Sequence, residues 1–327
     1  MIILNEQEII SIYQMDDAIQ DVKAVLQAKA QGNILAPHRT VLNFPAQSAS
    51  ALYMPSADLV NQMSAVKVVT IFPNNPAVAK KTTQGIIVLT STEDGSHLAA
   101  LNASYLTRLR TGAMSGIATD YLAKQDATAL AVIGTGAMAF EQCLGVLAVR
   151  QIATIILYNR TAKKAEDFAQ KLKAAGYKGK FIFEQNANQA VAQADIICCA
   201  TKTTTPLFNG ESLKKGTHIN GVGSYLPHMH ELDNYTITNA SKIVVDDLPG
   251  AEDEAGELIN AAQQGIWSFS DVYAELEQLV AGEKAGRQQQ EEITFFKSVG
   301  ASYYDLAVAQ GVYKKALVLK IGTTLEV

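Results

Sequence analysis

The chain has 327 residues, which is enough for two domains with separate hydrophobic cores. Hydrophobic residues make up 48% of it and charged residues 18%, a balance typical of globular proteins, and the formal net charge is −5. This acidic balance excludes a general binder of nucleic acid or of an anionic membrane surface, so we expect neither as a partner.

The first third of the chain predicts one helix and a largely antiparallel sheet. Apolar residues recur at helical spacing from Met15 to Ala30, and two aspartates occupy the predicted first turn. Short strand-like runs separated by turn-forming clusters follow at residues 39–44, 51–54, 65–71 and 85–90. The turn Glu93-Asp94-Gly95 predicts a hairpin between the last of these runs and residues 97–101.

Near Tyr105 the pattern changes to alternating helices and strands. A helical stretch, Ala103–Leu122, precedes the alternation, and the helices within it include Ala137–Val149 and residues 162–175. The predicted strands are residues 130–133, 154–157, 181–183, 196–200, 218–222 and 243–246. This alternation of helices with strands that are apolar throughout predicts an α/β fold of the Rossmann type, with a doubly wound parallel sheet.

A last amphipathic helix is predicted at residues 303–319. We expect it to fold back onto the amino-terminal domain, which makes that domain discontinuous. The expected organisation is therefore one α+β domain built from residues 1–112 and 300–327, and a Rossmann dinucleotide-binding domain at residues 113–299.

The cysteine content and the amino terminus indicate the compartment. Cys143, Cys198 and Cys199 are odd in number, and two of them are adjacent in an apolar run, so we expect buried thiols rather than a disulfide framework. The amino-terminal residues lack the basic start and the cleavage site of a signal peptide, and no apolar run is long enough to cross a bilayer. The expected location is the cytoplasm.

The strongest motif lies between the first apolar strand of the Rossmann part and the helix after it. Residues 131–139 read as strand, G-x-G-x-x-A, helix, which is typical of dinucleotide binding. Gly134 allows the tight turn, Gly136 lets the backbone approach the pyrophosphate, and Ala137 and Met138 begin the helix whose N–H groups bind the anion. The alternative is an ordinary glycine turn.

The end of the second strand bears on the choice of cofactor. Asn159 lies near the position where NAD-specific sites carry an acidic residue for the ribose hydroxyls, and no carboxylate is present there. Arg160 and Thr161 suit a 2′-phosphate, so NADP(H) is favoured and NAD(H) stays possible. Alternatively, Arg160 caps the loop or stacks on adenine, and either cofactor is accepted.

Lys67 lies in an apolar strand between Val66 and Val68. Strand alternation places it on the face of Ala65 and Val69, and burial among apolar groups lowers the pKa of a lysine into a range useful for proton transfer. The alternative is an exposed strand face on which the lysine reaches toward solvent.

Several segments together resemble the ornithine cyclodeaminase/mu-crystallin family over nearly the whole chain. They are SAVKVV (64–69), RLRTGA (108–113), YNRT (158–161), NGVGS (220–224) and FKSVG (296–300), arranged around the G-x-G-x-x-A motif. The family includes ornithine cyclodeaminases, alanine dehydrogenases, ketimine reductases such as Δ1-pyrroline-2-carboxylate reductases, and mu-crystallin. The resemblance implies a homodimer, a substrate-binding and dimerisation domain built from both chain ends, and a site in the cleft between the domains.

The resemblance also implies roles for individual residues. Arg39 and Arg110 match positions that contact the substrate carboxylate, and Lys67 matches the catalytic lysine, so Arg39 and Lys67 are the expected catalytic residues. The arginine fork suits a carboxylate. Besides the residues already named, the expected cofactor contacts are Arg110, Thr111, Thr201, Val222, Gly223 and Val299.

One departure from the family pattern concerns cyclodeamination. Cyclodeaminases carry an aspartate shortly after the fifth strand, and Tyr225 occupies that position here. Glu231 and Asp233 are close by, but we expect them to cap the next element. Loss of the carboxylate disfavours ornithine cyclodeamination and leaves hydride transfer intact.

A pair of histidines and a cluster of acidic residues are not expected to form functional sites. His228 and His230 form an H-x-H pair without a third ligand nearby, so no metal site is expected. The acidic cluster is expected to be a solvated helix face and consists of Glu252, Asp253, Glu254 and Glu257.

The expected function is NAD(P)H-dependent reduction or dehydrogenation of a small imino or amino acid. The first alternative is ornithine cyclodeaminase, which converts L-ornithine to L-proline and ammonia with NAD. The second is a cofactor-dependent binding protein of the mu-crystallin kind.

Overall fold

The computed structural model describes residues 1–326 and divides the chain into two compact units. The first unit consists of Met1–Arg110 and Ala301–Val327, and the second consists of Thr111–Gly300. Both ends of the chain therefore belong to the same unit. Between residues 1 and 326, no helix is long and apolar enough to span a membrane.

The strands and helices are numbered in chain order. The strands are β1 (Ile2–Leu4), β2 (Ile34–Leu35), β3 (Thr40–Phe44), β4 (Ala49–Asp58), β5 (Met63–Ile71), β6 (Thr83–Ser91), β7 (His97–Asn102), β8 (Ala129–Ile133), β9 (Thr154–Tyr158), β10 (Lys180–Glu184), β11 (Ile196–Cys199), β12 (His218–Gly221), β13 (Lys242–Val245), β14 (Ala274–Glu275), β15 (Thr294–Lys297) and β16 (Thr323–Thr324). The helices are α1 (Glu6–Ile12), α2 (Met15–Ala30), α3 (Ala103–Leu122), α4 (Ala137–Val149), α5 (Ala162–Ala174), α6 (Ala187–Ala192), α7 (Asn234–Asn239), α8 (Leu248–Glu254), α9 (Gly256–Gln263), α10 (Leu276–Val280) and α11 (Ser302–Leu319).

In the first unit, eight strands form one sheet with the order β16-β1-β7-β6-β5-β4-β2, and β3 pairs with β4. Its long central strands are antiparallel, and the predicted hairpin is confirmed as β6 and β7. Strand β1 and helix α1 were not predicted from the sequence. These two elements are short, but Asn5 marks the helix start because it forms a capping box with Glu8.

Helix α11 was wrongly predicted to be amphipathic along its length. Every residue from Ser302 to Val312 is buried, and exposed residues appear only toward the carboxyl end. The helix packs on β4, β5 and β6 and also on α1 and α2, so its first part has protein around its whole circumference.

The second unit confirms the predicted Rossmann-type fold. Its sheet has the order β10-β9-β8-β11-β12-β15-β13-β14, and all the neighbouring strands are parallel. Strand order reverses at β8, which has β9 on one side and β11 on the other. In open α/β sheets, ligands bind at the carboxyl ends of the strands beside such a switch point.

Both faces of the central strands of this sheet are buried, as the apolar strands predicted, whereas the edge strand β10 is partly exposed. Ile133 and Cys199 belong to one hydrophobic cluster, whereas Val132, Cys198 and Cys143 belong to the other. The three cysteines are free and buried, which confirms the interpretation of them as small core residues.

Three glycines let α3 and α4 approach each other at backbone distance. A Cβ on Gly145 would collide with the carbonyl group of Gly112, and a Cβ on Gly116 would collide with the carbonyl oxygen of Gly145. Because α4 begins at the glycine motif, this crossing fixes the position of the helix whose amino end is the candidate anion site.

The variant Gly145→Ala tests this crossing. Alanine favours a helix over glycine by about 1 kcal/mol, but overpacking of a core costs typically about 1–3 kcal/mol. We therefore expect a lower free energy of unfolding in a urea titration. Ala148→Ser adds one atom at an exposed position of the same helix and should change stability by less than about 0.5 kcal/mol. A Gly145→Ala protein as stable as the parent would contradict the close approach.

Candidate active site

Lys67 and Arg110 share one buried carboxylate in the first unit. Lys67 lies on β5, and its Nζ atom donates to Oδ2 of Asp305 at 2.5 Å. Arg110, in α3, donates from Nε to Oδ1 of the same carboxylate at 3.3 Å. The side chain of Lys67 is only 3% exposed and that of Asp305 2%. Each carboxylate oxygen therefore contacts one buried cation.

Burial lowers the pKa of Lys67 to about 8, the direction that the apolar strand predicted. The Asp305 carboxylate acts against this shift, because it stabilises the charged ammonium group. The positive charges of Arg110 and Arg39 lower the pKa further. A lysine in this state exchanges a proton easily near neutral pH.

Arg39 immediately precedes β3 and is half-buried. Its charge acts on the pKa of Lys67, so it belongs to the same electrostatic environment. The structure thus brings together the three residues that the sequence assigned to substrate binding.

Asp305 was not identified from the sequence. It lies in the first turn of α11, where the helix dipole stabilises a negative charge. The sequence does carry a signal, because Asp305 is the one charged residue between Ser302 and Val312, and a carboxylate in such an apolar stretch requires buried partners. The amphipathic interpretation of this helix concealed that signal.

The glycine motif of the second unit fits a dinucleotide pyrophosphate. Gly134 has a φ of +90°, and a Cβ there would lie 2.5 Å from the Thr201 side chain. Gly136 is the N-cap of α4 with no side-chain cap, and a Cβ there would meet nothing within 4 Å. The buried Thr135 hydroxyl between them has no hydrogen-bond partner. The loop therefore leaves room, N–H groups and a hydroxyl for an oxygen-rich ligand beside Ala137 and Met138.

The end of β9 supports this loop. The Asn159 side-chain oxygen accepts from the backbone N–H of Thr135 at 3.3 Å, and its amide donates to the carbonyl of Thr161 at 3.0 Å. Arg160 and Thr161 are exposed. Asn159 thus holds the glycine loop in place, which the sequence did not reveal, and Arg160 lies on the solvent side of the same turn.

The other predicted cofactor residues of this unit lie at or near the carboxyl ends of neighbouring strands. Thr201 follows β11, Val222 and Gly223 follow β12, and Val299 follows β15. Thr111 is buried in α3.

Two predictions about acidic residues in this unit were wrong. Glu231 caps no helix, because it is fully buried and accepts from the backbone N–H groups of Thr201 and Gly223. Glu257 does not lie on a solvated face, because it is 2% exposed and forms an ion pair with Lys297. Asp233, in contrast, is confirmed as the N-cap of α7.

The histidines and Tyr225 have ordinary surroundings. His218 is buried and hydrogen-bonded to Thr294 and Asn220, and burial lowers its pKa to about 3. His228 is exposed, and His230 and Tyr225 are half-buried. Within residues 1–326, no group of three or more potential side-chain ligands could hold a metal ion.

Comparison with known proteins identifies the family. The model of the ornithine cyclodeaminase/mu-crystallin family matches residues 1–319. The chain belongs to this family. A relative from Bacillus cereus, named Δ1-pyrroline-2-carboxylate reductase, is 41% identical over 326 residues, which cover 100% of both chains.

Two solved structures of the ornithine cyclodeaminase/mu-crystallin family are similar over almost the whole length. The Δ1-pyrroline-2-carboxylate reductase of Thermococcus litoralis, in complex with NADH and L-proline, is 33% identical with a TM-score of 0.95, and the match covers 99% of this chain and 100% of that one. An archaeal alanine dehydrogenase dimer with bound NAD is 33% identical with a TM-score of 0.93, and the match covers 99% of this chain and 98% of that one.

Replacing Asp305 tests the shared carboxylate. Lys67 can lose its proton in Asp305→Ala, but the Arg110 guanidinium cannot, so a buried charge is left uncompensated. We expect a loss of about 3–5 kcal/mol in the free energy of unfolding by urea at about pH 6.5.

The matched control is Asp167→Ala. It removes a carboxylate 2.9 Å from Lys163, in a pair whose side chains are more than half exposed, so the change should stay below about 1 kcal/mol. If the two variants lose equal stability, Asp305 does not compensate buried charge.

Proposed function

We propose that this chain is an NAD(P)H-dependent reductase that converts a small α-imino acid into an L-amino acid, with Δ1-pyrroline-2-carboxylate as the first candidate substrate and proline as its product. The observation that carries the proposal is the buried Lys67 of pKa about 8, placed beside two arginines. The 41% identical relative and the similar structure with NADH and L-proline support this substrate class.

The first unit supplies the groups that an imino acid needs. We assign Arg39 and Arg110 to the substrate carboxylate. Arg110 contacts Asp305 through Nε, whereas its two terminal nitrogens form a second pair of donors that suits a carboxylate end on. Met54 and Ile87 flank Lys67 in register on neighbouring strands, so the surroundings of the ammonium group suit an apolar substrate side chain.

Lys67 manages the proton of the reaction. Reduction of a C=N bond adds a hydride to carbon and a proton to nitrogen. The nicotinamide cofactor, when bound, supplies the hydride. In its charged form Lys67 delivers the proton to nitrogen and later regains one from water, and in the reverse direction its neutral form accepts the proton. Asp305 holds the ammonium group in place throughout.

The second unit supplies the cofactor site. We assign the pyrophosphate to Gly134, Gly136, Ala137 and Met138 at the start of α4. The adenosine end then lies toward Asn159, Arg160 and Thr161 at the end of β9. The assigned contacts of the remaining cofactor are Arg110, Thr111, Thr201, Val222, Gly223 and Val299.

We propose NADP(H) as the preferred cofactor, because the end of β9 offers an exposed guanidinium at Arg160 and no carboxylate. Lys163, in the first turn of α5, pairs with Asp167 at 2.9 Å, so Arg160 is the main candidate for a 2′-phosphate. The similar solved structures hold NADH and NAD, so the proposed preference for NADP(H) rests on Arg160 of this chain alone.

A homodimer of this protein in the cytoplasm is also proposed. The outward face of the first unit's sheet carries Tyr53, Val68 and Ile86 in one row across three strands, and Tyr53 and Ile86 are 38% and 44% exposed. An apolar row of this kind suits an interface between copies. The archaeal relative is a dimer, which supports the same arrangement. The cytoplasmic location stays a prediction from the sequence.

Alanine dehydrogenase activity is the second candidate, because the archaeal alanine dehydrogenase shares the fold at a TM-score of 0.93. Its imine would come from pyruvate and ammonia rather than from a ring. Ornithine cyclodeamination is disfavoured, because Tyr225 occupies the position of the carboxylate that this chemistry uses.

The assay is the loss of reduced-nicotinamide absorbance with purified protein. Δ1-Pyrroline-2-carboxylate and pyruvate with ammonia are offered separately, each with NADPH and with NADH. We expect loss of signal with the cyclic imine, faster with NADPH, and we expect Arg160→Ala to remove the NADPH advantage while the NADH rate stays within about twofold.

Other outcomes of this assay contradict specific parts of the proposal. If absorbance is lost only with pyruvate and ammonia, the activity is that of an alanine dehydrogenase and the cyclic imine is not the substrate. No signal loss with any imine, together with proline and ammonia formed from ornithine and catalytic NAD+, would replace reduction by cyclodeamination.

A further inference from the structure

Glu231 joins two loops of the second unit that end neighbouring parallel strands. Its Oε1 atom accepts from the backbone N–H of Thr201 at 2.6 Å and from the Thr201 hydroxyl at 2.9 Å. Its Oε2 atom accepts from the backbone N–H of Gly223 at 2.7 Å. Thr201 follows β11 and Gly223 follows β12, and these two strands pair in the sheet. One carboxylate therefore bridges two loops where the ladder of the sheet has ended.

The packing around this bridge leaves no room for a side chain at Gly223. A Cβ on Gly223 would collide with the backbone of Thr201 and would lie 2.5 Å from Oε1 of Glu231. Thr201 in turn lies against Gly134 of the glycine motif. Thr201 is therefore held between Glu231 and the glycine motif.

A buried ion pair holds the far side of the second loop. Lys297 donates to Oε1 of Glu257 at 3.1 Å and also contacts Ser224, the residue after Gly223. The Ser224 hydroxyl donates to Oε2 of Glu257 at 2.6 Å. The side chains of Lys297 and Glu257 are at most 1% exposed, so the loop is held by charged groups on both sides, away from water.

The position of these loops indicates which half of a dinucleotide they face. In a doubly wound sheet the dinucleotide lies across the switch point, with one half on each side of the first strand. The adenosine half is assigned to the β9 side, at Asn159 and Arg160. The other half then lies toward β11 and β12, where Thr201 and Gly223 are found.

We infer that Glu231 is a positioning residue for the nicotinamide ring of the cofactor, because it holds together the loops after β11 and β12, on the side of the sheet assigned to the nicotinamide. The inference rests on the proposed function. It assigns no contact between Glu231 and the cofactor, since the carboxylate acts through Thr201 and Gly223. Such preorganisation avoids the entropic cost of ordering loops at the moment of binding.

Glu231→Gln is the sharpest variant. Glutamine has nearly the same shape, but its NH2 group cannot accept a hydrogen bond. Either the Thr201 N–H or the Gly223 N–H therefore loses its acceptor and faces another donor. The matched control is Asp233→Asn, two residues away. Asp233 also accepts three bonds from N–H and hydroxyl groups, but its partners are Gly210 and Thr236 rather than the strand-end loops.

The experiment measures dissociation constants for NADH and for ADP-ribose, which lacks the nicotinamide ring, by calorimetry on full-length protein, with the Tm of each variant beside them. We expect Glu231→Gln to raise the dissociation constant for NADH at least tenfold and to leave that for ADP-ribose within twofold of the parent value. Asp233→Asn should lower the Tm by a similar amount and leave both ligands within twofold.

The outcomes separate this inference from the proposed function. If the parent protein binds neither NADH nor NADPH, the proposed function fails and the inference fails with it. If the parent binds NADH and Glu231→Gln binds it equally well, or loses NADH and ADP-ribose alike, the inference alone is overturned. Equal weakening of NADH by Asp233→Asn also overturns it, because general destabilisation then explains the loss.

Discussion

The carboxylate of Asp305 is the interaction on which the candidate site depends, because it lies between the Lys67 ammonium and the Arg110 guanidinium. Two buried cations without a counter-charge would each carry a large desolvation penalty. The carboxylate offsets part of that penalty, and burial still leaves the pKa of Lys67 lowered to about 8. The same three side chains thus contribute to the stability of the unit and to the proposed proton transfer.

The same triad joins the carboxyl-terminal helix to two earlier elements of the first unit. Lys67 comes from β5 and Arg110 from α3, whereas Asp305 comes from α11, 238 residues after Lys67. The carboxyl-terminal helix therefore completes the proposed chemistry as well as the core. In the second unit, Glu231 joins two loops that follow different strands. In each unit, a buried carboxylate holds groups assigned to the reaction.

The sequence predicted those parts of the fold that depend on local pattern. Helix α4 was predicted at the residues where it lies, because the glycine motif and the apolar pattern both mark its start. The lowered pKa of Lys67 followed from the apolar residues around it. Partners across long sequence separations were not predictable in this way. Asp305 was missed, and Glu257 was taken for a surface residue, because Lys297 lies 40 residues further along the chain.

The central claim is that Lys67 is the proton donor, and the pH dependence of kcat/KM for imine reduction tests it most directly. This ratio reports the pKa of the free enzyme. We predict that it falls as the pH rises through about 8, because the neutral amine has no proton to deliver. Asp305→Asn should move this fall to lower pH, since the Asp305 charge raises the pKa of Lys67. If Lys67→Met shows the same fall, the fall belongs to the substrate and the assignment is contradicted. If Asp305→Asn does not shift the pH at which kcat/KM falls, the assignment is contradicted as well.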